Sequence, residues 1–196
     1  MKVEVDFKNV NKLLDNLKKE LNRGKNGARA GFLKDDTRDD GLTEETVALA
    51  NEFGADIHIP EHKSTIYRKV DKNGNLGKFT KENNANFAQD VTIPAHDVHI
   101  PARPFLRNAQ KILDKRLPKV VQSCLDDERT LEYTLNQCAQ EARNQIIESI
   151  NSNTPPPNKP STVRRKKSNK TLIDTGQLRS SVHCSVIIDN SERLRK

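Results

Sequence analysis

The spacing of apolar residues changes twice along the chain, and this change restricts the folds that it can adopt. On both sides of residues 57–100, apolar residues recur every three or four positions, as in amphipathic helices. Within 57–100, β-prone residues instead flank the sequence KNGN at 72–75, which is a strong hairpin signal. We therefore predict an α+β fold, in which 1–56 and 101–196 form a single domain and 57–100 is an inserted β-hairpin arm.

The helices are predicted from apolar stripes and from the residues that begin and end them. Thr43 is a good N-cap and Gly54 a good stop for one helix, and Pro104 suits the first turn of another. Pro118 is expected to bend or break that second helix. The predicted helices cover about 7–21, 43–54, 104 onward and roughly 129–151.

Short strands are predicted at 27–33 and 181–189, where β-prone residues alternate with small or polar ones. A helical turn capped by Asp174 or Thr175 precedes the second strand, and 190–196 are expected to be frayed. The main domain is therefore expected to be a small antiparallel or mixed sheet packed by two long helices and an N-terminal helix.

The composition allows a core, but only a thin one. Of the 196 residues, 33% are hydrophobic and 31% charged, there is no Trp, and the mean hydropathy is -0.83. Such a chain is suited to completing its burial against neighbouring subunits. The three cysteines have no metal-binding spacing, and no apolar run is long enough to span a membrane, so we expect a soluble protein of a reducing cytoplasm.

Charge is distributed unevenly along the chain, whose formal net charge is +7. The segment VRRKKSNK at 163–170 is strongly basic, whereas KDDTRDDGLTEE at 34–45 is acidic, a pattern that suits a polyanionic partner or head-to-tail contact between copies. Four prolines lie just before the basic run, so we expect 153–170 to lack helix and to be mobile until assembly orders it. The candidate contact residues there are Arg164, Arg165, Lys166 and Lys167.

Catalytic equipment is sparse. Two histidine pairs, with acidic residues nearby, flank the proposed arm and form a weak candidate metal site, which would make the chain a metal-dependent hydrolase; solvent-facing or interface histidines are the alternative. The sequence has no phosphate-binding glycine loop and no nucleophile elbow, so we expect no enzyme, no cofactor and no catalytic residue. The residues weighed for these roles are His58, Glu61, His62, His96, Asp97, His99, Ser181, His183 and Cys184.

Three segments, in this order, resemble a known group of proteins. They are VALANEFGA at 47–55, IPARPFLR at 100–107, and NTPPPNKPSTVRRKKSNKTLIDTGQLRSSV at 153–182. The chain resembles the neck and tail-completion proteins of tailed bacteriophages, the virion-morphogenesis group that includes minor tail components of lambda-like siphophages. The joint order of the segments is more specific than any one of them, while 57–100 is longer than the plain spacing of the group.

The resemblance implies a structural protein rather than an enzyme. Members of the group are small α+β proteins that assemble as rings, commonly hexameric, in the connector between head and tail. The implied partners are other neck proteins, the tail terminator or the tail tube, with non-specific contact with packaged DNA and no membrane. The implied location is the virion neck or tail, after a period in the host cytoplasm. The alternative function is that of a basic nucleic-acid-binding protein.

Arg103, Phe105 and Arg107 are candidate subunit-contact residues, because two arginines around one aromatic side chain are common anchors in interfaces. The alternative is that these residues form an internal motif at the start of a helix. Both interpretations of the segment are kept at this stage.

Overall fold

The computed structural model describes residues 26–33, 37–38, 41–189 and 191–195. It divides the chain into two compact units. One, Ala55–Ile100, is called the inserted unit, and the described residues on either side of it form the main unit. The helix predicted at 7–21 lies outside the described residues.

The described residues form an α+β structure with antiparallel sheets, as predicted. The helices are α1 (Glu44–Phe53), α2 (Phe105–Asp126), α3 (Leu131–Asn151), α4 (Pro160–Lys166) and α5 (Gln177–Ser180). The strands are β1 (Gly27–Gly31), β2 (Ala55–Ile59), β3 (His62–Val70), β4 (Leu76–Phe79), β5 (Phe87–Ile93), β6 (His96–Ile100), β7 (His183–Ile188) and β8 (Ser191–Arg195).

Helix α1 begins and ends where its local sequence predicts. The Thr43 hydroxyl accepts a hydrogen bond from the Thr46 backbone N–H at 3.2 Å, and Gly54 ends the helix with a φ of 81°. Helix α3 is capped in the same way by Thr130, whose hydroxyl accepts from the Tyr133 N–H. These ends are set by single residues, which explains why the pattern alone identifies them.

Helix α2 continues through Pro118, so the helix does not break at that residue. Pro118 and Asp114 are both exposed, so the carbonyl that loses its N–H partner is open to water. Packing of α2 along α3 supports the helix on both sides of the proline. Pro104 lies one position earlier than predicted, since it precedes the first helical residue, Phe105.

The sheet of the main unit has the order β1-β7-β8 and is antiparallel throughout. Cys184 and Val186 on β7 pack against Leu135 and Ala139 on α3, which in turn packs against α2. For residues 191–195, the expectation of a frayed end was wrong, because β8 pairs with β7 from Ser191 to Arg195. That pairing depends on the side of β7 that faces away from β1, which the sequence of 191–195 does not reveal.

A second cluster of the core surrounds Phe105, which is fully buried. The Phe32 ring lies edge-on to Phe105 with the centroids 6.3 Å apart. The cluster draws one or two residues from each of several elements, consistent with a thin core. Its buried members are Ala48, Phe105, Ala109, Ile146, Ile150, Leu172, Leu178 and Val182.

The inserted unit is built on one long antiparallel ribbon. β2 pairs with β6 and β3 pairs with β5 in a single continuous register, from Ala55 opposite Ile100 to Arg68 opposite Phe87. Pro60 and Pro94 interrupt the ladder because neither has a backbone N–H. At about 3.3 Å per residue, the path from 55 to 70 is about 50 Å long.

A hairpin turn at 71–75 adds β4 to the other side of β3, as the sequence KNGN predicts. The Asp71 carboxylate accepts from the backbone N–H and the side-chain amide of Asn75 and from the backbone N–H of Asn73, and these bonds lower the pKa of Asp71. Gly74 has a φ of 83°, a conformation that glycine adopts without strain.

Candidate functional site

The three motifs that carry the resemblance meet in the main unit, at the start of α2. The Arg103 backbone N–H donates to Asn51 O at 2.6 Å, which joins the second motif to the first. The Arg103 side chain donates from Nε to Pro156 O at 3.0 Å, which joins the second motif to the third. Segments far apart in the sequence therefore form one structural junction.

Glu52 lies at the centre of this junction and was not identified from the sequence. Its side chain is 2% exposed and accepts from the backbone N–H groups of Leu106 and Arg107 at 2.8 and 3.2 Å. Because the N-cap residue, Pro104, has no side-chain acceptor, a carboxylate from α1 satisfies the first N–H groups of α2 instead. The available signal was spacing, since Glu44, Ala48 and Glu52 share one buried face of α1.

Arg103 and Phe105 are internal rather than surface residues. Phe105 is in the core, and its carbonyl accepts from the Ser149 hydroxyl at 2.7 Å. Arg103 is 7% exposed, and its guanidinium also donates to Asn158 Oδ1 at 3.2 Å. Burial lowers the pKa of Arg103. Within one chain, both residues therefore match the interpretation as an internal helix-start motif, not the interpretation as contact residues.

Arg107 remains available for contact with a partner. Its Nε donates to Glu52 Oε1 at 2.8 Å, yet half of its side chain is exposed. The guanidinium lies over the Phe53 ring at 5.3 Å, and Phe53 is itself 64% exposed. Leu49, one turn earlier on α1, is also exposed. We call Leu49, Phe53 and Arg107 the α1 patch. Aromatic and arginine side chains are typical of interface anchors, and Leu49 adds exposed apolar surface.

The loop after α3 contains a helix and many hydrogen bonds, so the expectation of a segment without helix at 153–170 was wrong. Pro160 begins α4, in the first turn where a missing N–H costs nothing. Thr154 and Thr171 are buried at the base of the loop, where the Thr171 hydroxyl donates to Thr154 O at 3.1 Å. Asn158 Nδ2 donates to Lys170 O at 3.1 Å.

The basic residues of the loop fall into two groups. Lys166 Nζ donates to Lys170 O and Thr171 O at 3.1 and 3.3 Å, and Lys170 Nζ donates to Asn151 O at the end of α3. Burial lowers the pKa of Lys166; Asp174 opposes this effect, whereas Arg103 and Arg165 add to it. Lys166 therefore stabilises the loop through these hydrogen bonds. The neighbouring sequence does not reveal this role.

The second group points to solvent. Arg164, Arg165 and Lys167 are exposed along α4 and just after it, and Lys159 is exposed just before it. We call these four residues the basic loop surface. Residues 151–170 contain six Lys or Arg and no Asp or Glu, and no large hydrophobic residue is exposed from 151 to 180.

The histidines of the inserted unit form two reciprocal pairs with aspartates. His58 Nδ1 hydrogen-bonds to Asp97 Oδ1 at 2.7 Å, and His99 Nδ1 to Asp56 Oδ1 at 2.6 Å. Both pairs are exposed and arise from a short repeat in the sequence, DIHIP at 56–60 and DVHIP at 97–101.

The other two histidines hydrogen-bond to proline carbonyls, His62 to Pro60 and His96 to Pro94. The four rings are thus engaged separately. Among the described residues, no group of three or more His, Cys, Asp or Glu is placed to hold a metal ion.

The neighbouring residues Ser181, His183 and Cys184 are buried, the first just before β7 and the other two at its start. Cys184 packs against α3, and His183, as the neighbouring residue of the strand, points to the other face of the sheet. Burial and the nearby Cys124 raise the pKa of Cys138, so that thiol is not activated as a nucleophile. These groups serve the packing of the main unit.

Comparison with protein-family models, with curated proteins and with solved structures gave no significant match. Within the ranges that the structure describes, no helix is both long and apolar enough to cross a membrane.

Proposed function

We propose that this chain is a structural subunit of the neck or tail-completion region of a tailed bacteriophage, where it helps to join the tail to the head. The observation that carries the proposal is the junction around Arg103, in which the three motifs are in direct contact. Because the three motifs are in contact in the fold, their joint resemblance to that group is stronger support than three unrelated short matches.

The subunit is proposed to act by binding other proteins, and its exposed apolar side chains support this. The main unit has the α1 patch, and the inserted unit has Leu76, Phe79 and Phe87, which are 54%, 67% and 36% exposed. We call these three residues the tip patch. Two different contact surfaces on one chain favour head-to-tail contact between copies. Such contacts form a ring when the rotation between successive subunits closes.

The composition of the tip patch fits a protein contact. Phe79 on β4 and Phe87 on β5 both pair with Arg68 on β3, and the Arg68 guanidinium lies 4.1 Å from the centre of the Phe79 ring. Residues 55–100 contain six Lys or Arg and six Asp or Glu, so the inserted unit is neutral and the net charge of +7 belongs to the rest of the chain. A neutral unit with exposed aromatics suits a neighbouring subunit or an adjoining ring better than a polyanion.

Measuring the mass of the purified protein by light scattering, across a range of protein and salt concentrations, tests this proposal. A closed ring is expected as a multiple of the chain mass of 22.2 kDa, six-fold for a hexamer. A chain that stays monomeric at every concentration and retards DNA would instead favour the second candidate, a basic nucleic-acid-binding protein. The observation behind that candidate is the basic loop surface.

A further inference from the structure

We infer that the basic loop surface binds the phosphate backbone of duplex DNA without reading its sequence. The first support is the concentration of charge. The six Lys or Arg between 151 and 170 have no acidic residue among them, and this segment alone nearly accounts for the net charge of the chain. Such a local excess of positive charge attracts a polyanion, and binding releases the counterions of that polyanion.

The second support is that hydrogen bonds fix the backbone that carries the basic side chains. Arg103 donates to Pro156 O and Asn158 Oδ1, Asn158 donates to Lys170 O, and Lys166 donates to two carbonyls of the same loop. These contacts hold α4 while Arg164, Arg165 and Lys167 remain exposed. Less backbone conformational freedom is then lost on binding than for an unstructured basic tail.

The third support concerns the class of partner. Protein interfaces combine arginine anchors with apolar or aromatic ones, and residues 151–180 expose arginines but no large hydrophobic side chain. Phosphate contacts need only charge and hydrogen-bond donors, which Arg and Lys supply. Single-stranded nucleic acid is bound through stacking on aromatic rings, and the sequence from 151 to 180 contains none. Duplex DNA, contacted along its backbone, is the partner that these features fit.

The test uses the purified full chain and a fluorescent duplex of about 20 base pairs, titrated between about 50 and 200 mM salt. The variant R164Q/R165Q/K167Q removes three exposed charges and none of the hydrogen bonds that fix the loop. Its affinity is expected to fall about tenfold or more at the lower salt concentration. The slope of log affinity against log salt is expected to become shallower by about 2 to 3, near 0.9 for each lost phosphate contact.

The matched control is K111Q/K115Q/K119Q, which removes the same charge from exposed positions on α2. Equal losses in the two triple variants would overturn the proposal, because net charge rather than this surface would then explain binding. Two duplexes of unrelated sequence are expected to bind within about twofold of each other. Tighter binding of polyglutamate than of the duplex under the same conditions would also overturn it, in favour of an acidic protein partner.

Thermal melts of both variants are expected to match that of the unchanged protein. Should the first variant melt lower, the single changes R164Q and R165Q provide the same comparison. The inference does not depend on the neck or tail-completion proposal: DNA binding is measured on the free chain, whereas ring formation is measured by mass, so either can fail alone.

Discussion

Glu52 Oε1 accepts a hydrogen bond from Arg107 Nε at 2.8 Å, and this carboxylate is almost fully buried, whereas half of the Arg107 side chain is exposed. The pair links α1 to the first turn of α2 and also supports the α1 patch, since the same guanidinium lies over Phe53. One ion pair thus connects the packing of the main unit to a surface that we propose for subunit contact.

Replacing Glu52 should destabilise the main unit strongly. Glu52→Ala leaves two backbone N–H groups of α2 and the Nε of Arg107 without their acceptor, and we expect the free energy of unfolding to fall by about 2 to 4 kcal/mol. Glu52→Gln keeps the shape but loses the charge, and should cost about 1 to 3 kcal/mol. Urea denaturation measures both changes. Glu61→Gln, an exposed control, should stay within about 0.5 kcal/mol, and equal effects at 52 and 61 would contradict the capping role.

Lys166 and Lys167 should respond differently to the same substitution. Lys166→Met removes two hydrogen bonds inside the loop and should lower the free energy of unfolding by about 1 to 2 kcal/mol. Lys167→Gln, in contrast, should leave the stability within about 0.5 kcal/mol. A comparison of melting temperatures is sufficient. Indistinguishable melts for the two variants would show that the loop does not depend on Lys166.

The lowered pKa of Lys166 also predicts a dependence on pH. Burial disfavours its charged form in the folded protein, so the unfolded chain binds the proton more tightly. The stability of the unchanged protein, relative to Lys166→Met, should therefore increase as the pH rises through the lowered pKa towards 10.5, the ordinary pKa of a lysine side chain. Denaturation of both proteins at several alkaline pH values measures this difference. A difference that shrinks with rising pH would contradict the assignment.

The inserted unit should be dispensable for folding of the main unit but required for assembly. Lys63 and Thr92 are directly paired across β3 and β5, so residues 64–91 can be replaced by an Asn-Gly turn that joins these two positions. We expect this deletion to retain a cooperative melt and to lose the assembled state in light scattering. Loss of the cooperative melt would mean that the inserted unit contributes to folding of the whole chain.

The tip patch should affect assembly more than stability. Phe79→Ala removes an exposed ring and its contact with the Arg68 guanidinium, which contributes about 0.5 to 1 kcal/mol. Assembly, in contrast, should weaken by about tenfold or more if the ring is an interface anchor. Lys78→Ala is the matched control, since Lys78 neighbours Phe79 on the strand and points to the opposite face. Sedimentation at several concentrations should separate the two variants, and equal behaviour would exclude this face as the contact.

The elements that the sequence predicted well are those set by neighbouring residues. Thr43 and Gly54 define α1, and the turn at 71–75 follows from a local carboxylate and a glycine. The other elements depend on partners that are distant in the sequence. α2 persists through Pro118 because it packs along α3, and β8 forms because β7 offers an edge.

The candidate site follows the same rule. The exposed basic residues were apparent from composition, but the separate role of Lys166 depends on carbonyls that only the folded loop presents. The sequence left Arg103 as either a contact residue or part of an internal motif, because the partner that buries it, Pro156, lies more than fifty residues away. Glu52 was missed because its carboxylate caps α2, a helix that begins only after the inserted unit.

The most direct test of the central proposal is to locate the chain in a virus particle. Tailed particles produced by the strain that encodes it would be labelled with a gold-conjugated antibody against the chain and imaged by electron microscopy. We predict label at the junction between head and tail, and heads without attached tails when the coding sequence is disrupted. Normal, infectious particles without label, formed equally well after disruption, would contradict a structural role in the neck or tail.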